Sequence, residues 1–347
     1  MPPWLCSNGP HCDIVISSRI RLARNLAHHQ FPRRASLYER TAIFNEVAEA
    51  FSRANLENSF NVVNFGALEN SQREFMVEER LASPDLAAMD GDRGIIHDNA
   101  RQISIMVNEE DHIRIQCLDS GLRPMELWAQ TDGIDDALGM QIDYAFDKKL
   151  GFLTCCPTNA GTGLRVSFLV HLPACVLTRT IDGVLCGAGQ MGVSTRGFFG
   201  EHSAISGSLF QLSNSAALGS TESAFCGSTC AVVESIIDHE RKAREKLLAH
   251  ARIELTDKIF RAYGILCNAS ILGLDEFLNL TSALRLGIEC TLFDKCTIQD
   301  LNRLLLFVLP AHMRACMKKE IADPDVREER AALVRLFFAK YKKQGGA

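Results

Sequence analysis

Residues 108–115 read Asn-Glu-Glu-Asp-His-Ile-Arg-Ile and set carboxylates, a histidine and an arginine into an apolar alternation. Ile103, Ile105 and Val107 precede the stretch, and Ile113, Ile115 and Cys117 carry the alternation onward. On an extended backbone, side chains two apart share a face. The spacing therefore predicts Glu110, His112, Arg114 and Gln116 along one side of a strand, with the isoleucines filling a core on the other. Taken alone, the segment also fits a solvated edge strand with internal ion pairs. Its meaning depends on the rest of the chain.

With 347 residues, 47% of them hydrophobic and 23% charged, the chain has the composition of a globular protein large enough for two domains. A net charge of −5 argues against a nucleic-acid partner. No apolar run is long enough to span a bilayer, and the N-terminus lacks the basic and apolar segments of a secretory signal. These features predict a cytoplasmic protein with no membrane association. The 13 cysteines form no repeating framework and read as buried hydrophobes in a reducing compartment. Cys226 and Cys230 are four apart, but no matching pair completes a zinc site, so no protein-held metal is expected.

Working outward, residues 13–22 alternate so that a strand would bring Arg19 and Arg21 onto one face. From Ser36 the period becomes helical, with Phe44, Val47, Ala48 and Phe51 on one stripe. Glycines at 91 and 94 read as a turn before a strand at 103–107, and further strands are expected at 164–171, 192–198 and 208–212. Residues 222–263 are rich in strong helix formers. Thr297 with Asp300 resembles a capping box, and Asp323-Pro324 offers an N-cap before Ala331, Val334 and Phe338. The expected fold is α+β: an antiparallel sheet flanked by helices over residues 1–240, then a smaller all-helical domain over 241–347.

Four segments carry chemistry. Residues 17–25 hold Arg19, Arg21 and Arg24; residues 108–115 hold Glu110 and Arg114; residues 156–165 run from Cys156 to Arg165; residues 196–202 hold Arg196 and Glu201. Arginines at 19, 21, 114, 165 and 196 can converge on a polyphosphate, because guanidinium binds phosphate oxygens bidentately and stays charged at neutral pH. The chain has neither a Walker-type lysine loop nor the His-Arg-Asp and Asp-Phe-Gly motifs of protein kinases. Any ATP chemistry would fall to arginines.

Four such motifs in this order resemble the guanidino-kinase (ATP:guanido phosphotransferase) superfamily, most closely its bacterial McsB-type protein-arginine kinase branch. Metabolic members carry a helical domain ahead of the first arginine motif. Here that motif starts at Ser17, and a helical region follows the catalytic part instead. The resemblance implies transfer of the γ-phosphoryl group of ATP to arginine side chains of proteins. It makes Glu110 and Glu201 the carboxylates that grip the acceptor guanidinium, and Cys156 a nearby thiolate supported by Thr158. It assigns ATP to Arg19, Arg21, Arg114, Arg165 and Arg196, with their neighbours Ser18, Ile20, Val166, Ser167, Phe168, Leu169, Gly197, Phe198, Phe199 and Gly200. Mg²⁺ is expected to be held mainly by the nucleotide and water, since no carboxylate cage is visible. Expected partners are proteins with exposed arginine, a zinc-binding activator, a Clp ATPase and a second copy in a homodimer, the mark directing proteins to Clp-type proteolysis.

Other residues carry quieter readings. Arg24 fits a phosphate site and a surface position equally, Cys155 a packing role, and His112 and His171 hydrogen-bonded structural roles. Two positions depart from the family pattern. Arg80 stands where a histidine packs near adenine, and can itself stack on a purine. In the segment expected to sense phosphoarginine, Arg330 and Ala331 are kept but Val326 and Arg327 replace the leading Arg-Asp pair. Two alternatives stay open on sequence alone: a kinase of free arginine, and a catalytically weak adaptor or pseudokinase that binds phosphoarginine or a Clp chaperone.

Overall fold

The computed structural model describes residues 1–54, 56, 60–89, 91–198, 206–318, 321 and 325–342. Ten strands appear among them: β1 (Val15–Arg24), β2 (Phe60–Asn64), β3 (Gly94–Asp98), β4 (Ile103–Val107), β5 (Ile113–Ser120), β6 (Phe146–Asp147), β7 (Gly151–Phe152), β8 (Leu164–His171), β9 (Val193–Gly197) and β10 (Leu209–Asn214). The helices are α1 (Leu37–Arg53), α2 (Asn70–Glu78), α3 (Pro84–Ala88), α4 (Pro124–Gly139), α5 (Pro173–Leu177), α6 (Ile181–Gln190), α7 (Glu222–His250), α8 (Arg252–Asn268), α9 (Leu274–Glu289), α10 (Ile298–Phe307), α11 (Pro310–Met317) and α12 (Val326–Lys342). No helix among the described residues is long and apolar enough to cross a membrane.

Eight strands form one antiparallel sheet in the order β2-β3-β4-β5-β1-β8-β10-β9, with β1 near its centre. Alternation decides its two faces. Ile20, Leu22, Ile113, Ile115, Cys117, Val166, Phe168 and Leu212 are all buried and join one core with residues of α4 and α7. Side chains of opposite parity, Arg19, Arg21, Arg114, Arg165 and Arg196 among them, look the other way. The expected α+β architecture is present.

Local details depart from the sequence reading. Extended backbone does not run through 108–112: Asn108 adopts φ 61°, its N–H donates to the His112 carbonyl at 3.0 Å, and the Glu109 N–H donates to the Asp111 carbonyl at 3.1 Å. This is a tight β4–β5 hairpin, so Glu110 sits at its tip and only Arg114 and Gln116 share a strand face. The turn at Gly91 opens β3 rather than β4, and neither β2 nor β3 alternates: β2 is mostly exposed, and β3 buries Gly94, Ile95 and Ile96 in succession. Ser36 does cap α1, accepting from the Glu39 N–H at 3.2 Å, and Thr297 and Asp300 do form a capping box on α10.

The helical run from 222 is two helices turning at Ala251. Residue 240, where composition placed the domain boundary, lies inside α7. Glu240 is fully buried there and accepts from the backbone N–H groups of Ala174 and Cys175 at the start of α5. A second core joins α8, α9, α10 and α12 to Trp4, Ile16, Leu118 and Leu169 beside the sheet. Ala331, Val334 and Phe338 of α12 are buried in it, while Asp323 and Pro324 lie outside the described residues. Two polar joints tie the helices to the sheet region. Glu78 at the end of α2 accepts from the N–H groups of Ala311 and His312 on α11 and pairs with His312 Nδ1 at 2.6 Å. His171 at the end of β8 meets Ser282 Oγ of α9 at 2.8 Å.

Candidate active site

Register brings the arginines together. Arg21 on β1 stands opposite Arg165 on β8 and Gln116 on β5, whose neighbour on the same face is Arg114. Arg19 stands opposite Ser167, and Arg196 on β9 opposite Gln211, itself paired to Leu169. All five arginines assigned to phosphate thus lie on one face of five adjacent strands. Serines support them: Arg19 Nε donates to Ser167 Oγ at 3.3 Å, and Arg165 Nη2 to Ser213 Oγ at 3.0 Å.

Like charges opposite one another in a sheet are destabilising. Burial, then Arg80, Arg114 and Arg165, lower the pKa of Arg19 to about 9; burial and the neighbouring cations lower that of Arg21 well below its ordinary value. Arg21 Nε is buried without a hydrogen-bond partner. A surface of guanidinium groups with this much unmet demand for negative charge suits a polyanion. Ser18, Ile20 and Val166 look the other way, into the helix-covered core, and Ser18 Oγ donates to the Gly121 carbonyl at 2.6 Å. Only their backbone could meet a nucleotide.

The arginine face ends at the β4–β5 hairpin. Burial, then repulsion from Asp111 and Glu109, raises the pKa of Glu110 at its tip, with Arg114 and Arg33 opposing. Sequence reasoning passed over Glu109 and Asp111, which hold the site together. Glu109 is buried and pairs with Arg114 at 2.5 Å. It also accepts from Ser83 Oγ and from the Glu110 N–H at 3.0 Å. Burial alone would raise the Glu109 carboxyl, but Arg114 and these donors outweigh it and hold the pKa low.

Asp111 Oδ1 accepts from Asn25 Nδ2 and from the Cys155 N–H, both at 2.7 Å. The loop carrying Cys156 is thereby stapled to the hairpin carrying Glu110. Cys156 Sγ is 3.0 Å from Thr158 Oγ1, the partner expected from sequence. Cys155 is instead pushed up to about 12 by burial and by Asp111, with Glu110 adding to it, which leaves it a neutral thiol. Gly163 lets this loop close on β1, and Gly161 lets it close on the segment after β10. Both have positive φ, and a Cβ would fall 2.5 Å from the Ala23 carbonyl oxygen at Gly163 and closer still to that of Ala217 at Gly161. Glu201, with Phe199, Gly200 and His202, lies outside the described residues.

At the other end of the face, a small cleft of about 30 Å³ is lined by Trp4, Ser17, Arg19, Arg80, Phe198 and Gln211, among others. Arg80, at φ 69°, donates from Nη2 to the Phe198 carbonyl at 3.2 Å, and its guanidinium lies 4.7 Å from the Phe198 ring centroid and 5.7 Å from that of Trp4. Burial lowers its pKa to about 10. Trp4 was not anticipated, since one tryptophan in an irregular N-terminal stretch carries no period.

Three residues expected to be structural or at the surface, and Arg330 of the segment expected to sense phosphoarginine, are placed as follows. His112 is fully buried, its Nδ1 accepting from the Leu26 N–H at 3.0 Å, and His171 is buried against Ser282. Arg24 is no surface residue: it is 1% exposed and paired with Asp135 at 2.6 Å. Arg330 is also buried, donating to the carbonyls of Val308 at 3.0 Å and Leu272 at 3.1 Å. Among the described residues no cluster of His, Cys, Asp or Glu could hold a metal ion.

Comparison with known proteins covers nearly the whole chain. Residues 42–243 match the family model for the ATP:guanido phosphotransferase C-terminal catalytic domain, and residues 252–346 match that for the protein-arginine kinase McsB C-terminal domain. The protein-arginine kinase of Moorella thermoacetica is 40% identical over 97% of both chains. That of Bacillus subtilis is 36% identical over 96% of this chain and 92% of its own. The chain belongs to the ATP:guanido phosphotransferase family, in its protein-arginine kinase branch. Among solved structures, lombricine kinase superposes with a TM-score of 0.61 at 23% identity, over 70% of this chain and 71% of its own. Membership of this kinase family implies that ATP is the phosphoryl donor.

Proposed function

We propose that this chain transfers the γ-phosphoryl group of ATP to a guanidinium nitrogen of arginine residues in proteins. The observation that carries the reading is the five-arginine face closed at one end by Glu110 and Cys156. A free guanidinium is a poor nucleophile, protonated to above about pH 12. Glu110 at the hairpin tip would orient it and accept its proton as the N–P bond forms and the bond from phosphorus to the β–γ bridging oxygen breaks, releasing ADP. The Cys156 sulfur beside it would help hold positive charge away from the attacking nitrogen. Arg19, Arg21, Arg114, Arg165 and Arg196 would neutralise the phosphates and the group in flight. Glu201 is proposed as the second carboxylate on the acceptor.

Arg80 would serve the base, through stacking of its planar guanidinium on a purine between Trp4 and Phe198. Mg²⁺ would be held mainly by nucleotide oxygens and water, as an octahedral ion that keeps several waters and is bridged by phosphates. We further infer from the family likeness a cytoplasmic enzyme, acting as a homodimer with a zinc-binding activator and marking proteins for a Clp-type protease. Arg330 offers little to a phosphoarginine ligand in this conformation, since its Nε and Nη1 already serve carbonyl oxygens.

The test is direct. Purified protein is incubated with Mg-ATP and either an unstructured arginine-containing protein or free arginine, and phosphoarginine is sought by mass spectrometry without acid steps. Phosphoarginine in the protein and little on free arginine is the expected result. The reverse preference would make the chain a small-molecule guanidino kinase, and ATP binding without either product would overturn the reading as it stands.

A further inference from the structure

A second cavity, of about 690 Å³, lies away from the arginine face, between α2, the β2–β3 edge of the sheet and α11. Its volume falls in the range typical of small-molecule sites, about 300–1,000 Å³. Phosphoryl transfer as derived above makes no use of it. Apolar side chains form one side: Leu68, Phe75, Met76 and Leu81. The facing wall, on α11, is built from the small side chains of Ala311 and Ala315, and their size leaves the space open.

Charge is distributed unevenly around this apolar body. Arg101, Arg314 and Lys318 line the cavity, with Glu79 as the one carboxylate among the lining residues. Both Glu79 oxygens are taken up by Arg101 at 2.5 Å, and Arg314 reaches outward to Glu74. Three cations against two carboxylates leave a positive surplus at the rim of an apolar cleft, with His97 beside it. A ligand that fits would carry a negative head and an uncharged hydrophobic body. The head would gain charge-assisted hydrogen bonds from groups already in place, and the body would remove apolar surface from water.

We propose that this junction cavity is a binding site for a small amphipathic anion, a carboxylate, sulfonate or phosphate borne on a ring or short alkyl body. The site is independent of the phosphotransfer reading and would stand if that reading failed. It also touches the nucleotide region by covalent continuity: Glu79 and Leu81, both lining residues, flank Arg80 in the chain.

The experiment uses the full-length chain and 1-anilinonaphthalene-8-sulfonate, an aromatic sulfonate that fluoresces on leaving water. One saturable site per chain is expected. Ser71→Trp, at an exposed position of α2, and Ala315→Trp, on the facing helix, fill the cavity from opposite sides. Each should weaken binding at least tenfold with unchanged circular dichroism, and the double variant Arg314→Glu/Lys318→Glu should do the same. Decanoate should displace the probe where decyltrimethylammonium does not. Wild-type affinity in both tryptophan variants, equal displacement by the cation, or no saturable binding would each overturn the proposal.

Discussion

Arg21 and Arg24 stand three residues apart on the same strand, and they have opposite lives. An odd separation puts them on opposite faces of the sheet. Arg24 spends its donors inside: Nε and Nη2 go to Asp135, Nη1 to the carbonyls of Ala23 and Thr162, and the guanidinium lies 3.5 Å from the Phe152 ring centroid. Arg21 faces Arg165 and has Arg19 and Arg114 as its charged neighbours, with Nε unpartnered. One arginine stabilises the fold; the other is held at a cost that Glu109 offsets in part and an incoming anion would offset further. Charge type does not separate the two; where the donors go does.

The largest expected effect tests that contrast from the catalytic side. Arg21→Ala should lower the rate of phosphoryl transfer by about 10³–10⁵, as for loss of an arginine that meets the group in flight. Its melting temperature should stay level or rise, since a repulsive neighbour is gone. A variant that melts early and keeps its rate would reverse the assignments of Arg21 and Arg24. Next in size is Glu110→Ala, which should slow phosphoarginine formation by about 10²–10⁴ with ATP affinity retained, in line with loss of a positioned base. An unchanged rate would remove the hairpin tip from the chemistry.

Arg24→Ala should act the other way. It leaves Asp135 buried without its cation, which costs about 3–5 kcal/mol of folding stability, read from the urea midpoint. Transfer by the fraction still folded should remain within a few-fold of wild type. Loss of activity without loss of stability would move Arg24 into the site.

How far the sequence alone reached follows the same division. Parity along β1, β5 and β8 was legible because alternation is a local property, and it correctly placed Arg19 with Arg21 and Arg114 with Gln116. Cross-strand facts were not legible. Nothing near Arg24 announces Asp135, which is 111 residues away, and nothing near Asn25 announces Asp111, 86 residues away. The motif at 108–115 misled in one respect, since its alternation continues across a turn that a left-handed Asn108 creates. That turn makes Glu110 a tip residue and frees Glu109 to reach back to Arg114. A short Asn-led hairpin can be suspected from sequence, but which of three consecutive acids faces inward depends on the turn geometry.

Those three acids supply the finest test. Glu109 and Glu110 are adjacent yet shifted in opposite directions, lowered by Arg114 and its donors in one case and raised by burial and like charge in the other. A base must be ionised to work, so kcat/KM should fall as pH drops through the raised pKa of Glu110, by about tenfold per unit on the acid limb. Glu109 has a folded pKa below its unfolded one, so its stabilising contribution is present above the unfolded value of about 4.3 and is lost only as pH falls further. Activity should therefore disappear on acidification while the melting temperature still holds. Asp111→Asn retains an oxygen for Asn25 and for the Cys155 N–H but removes one of the charges that raises Glu110. It should move the acid limb to lower pH. An acid limb that stays in place, or that coincides with unfolding, would mean that the titration seen in activity belongs to another group.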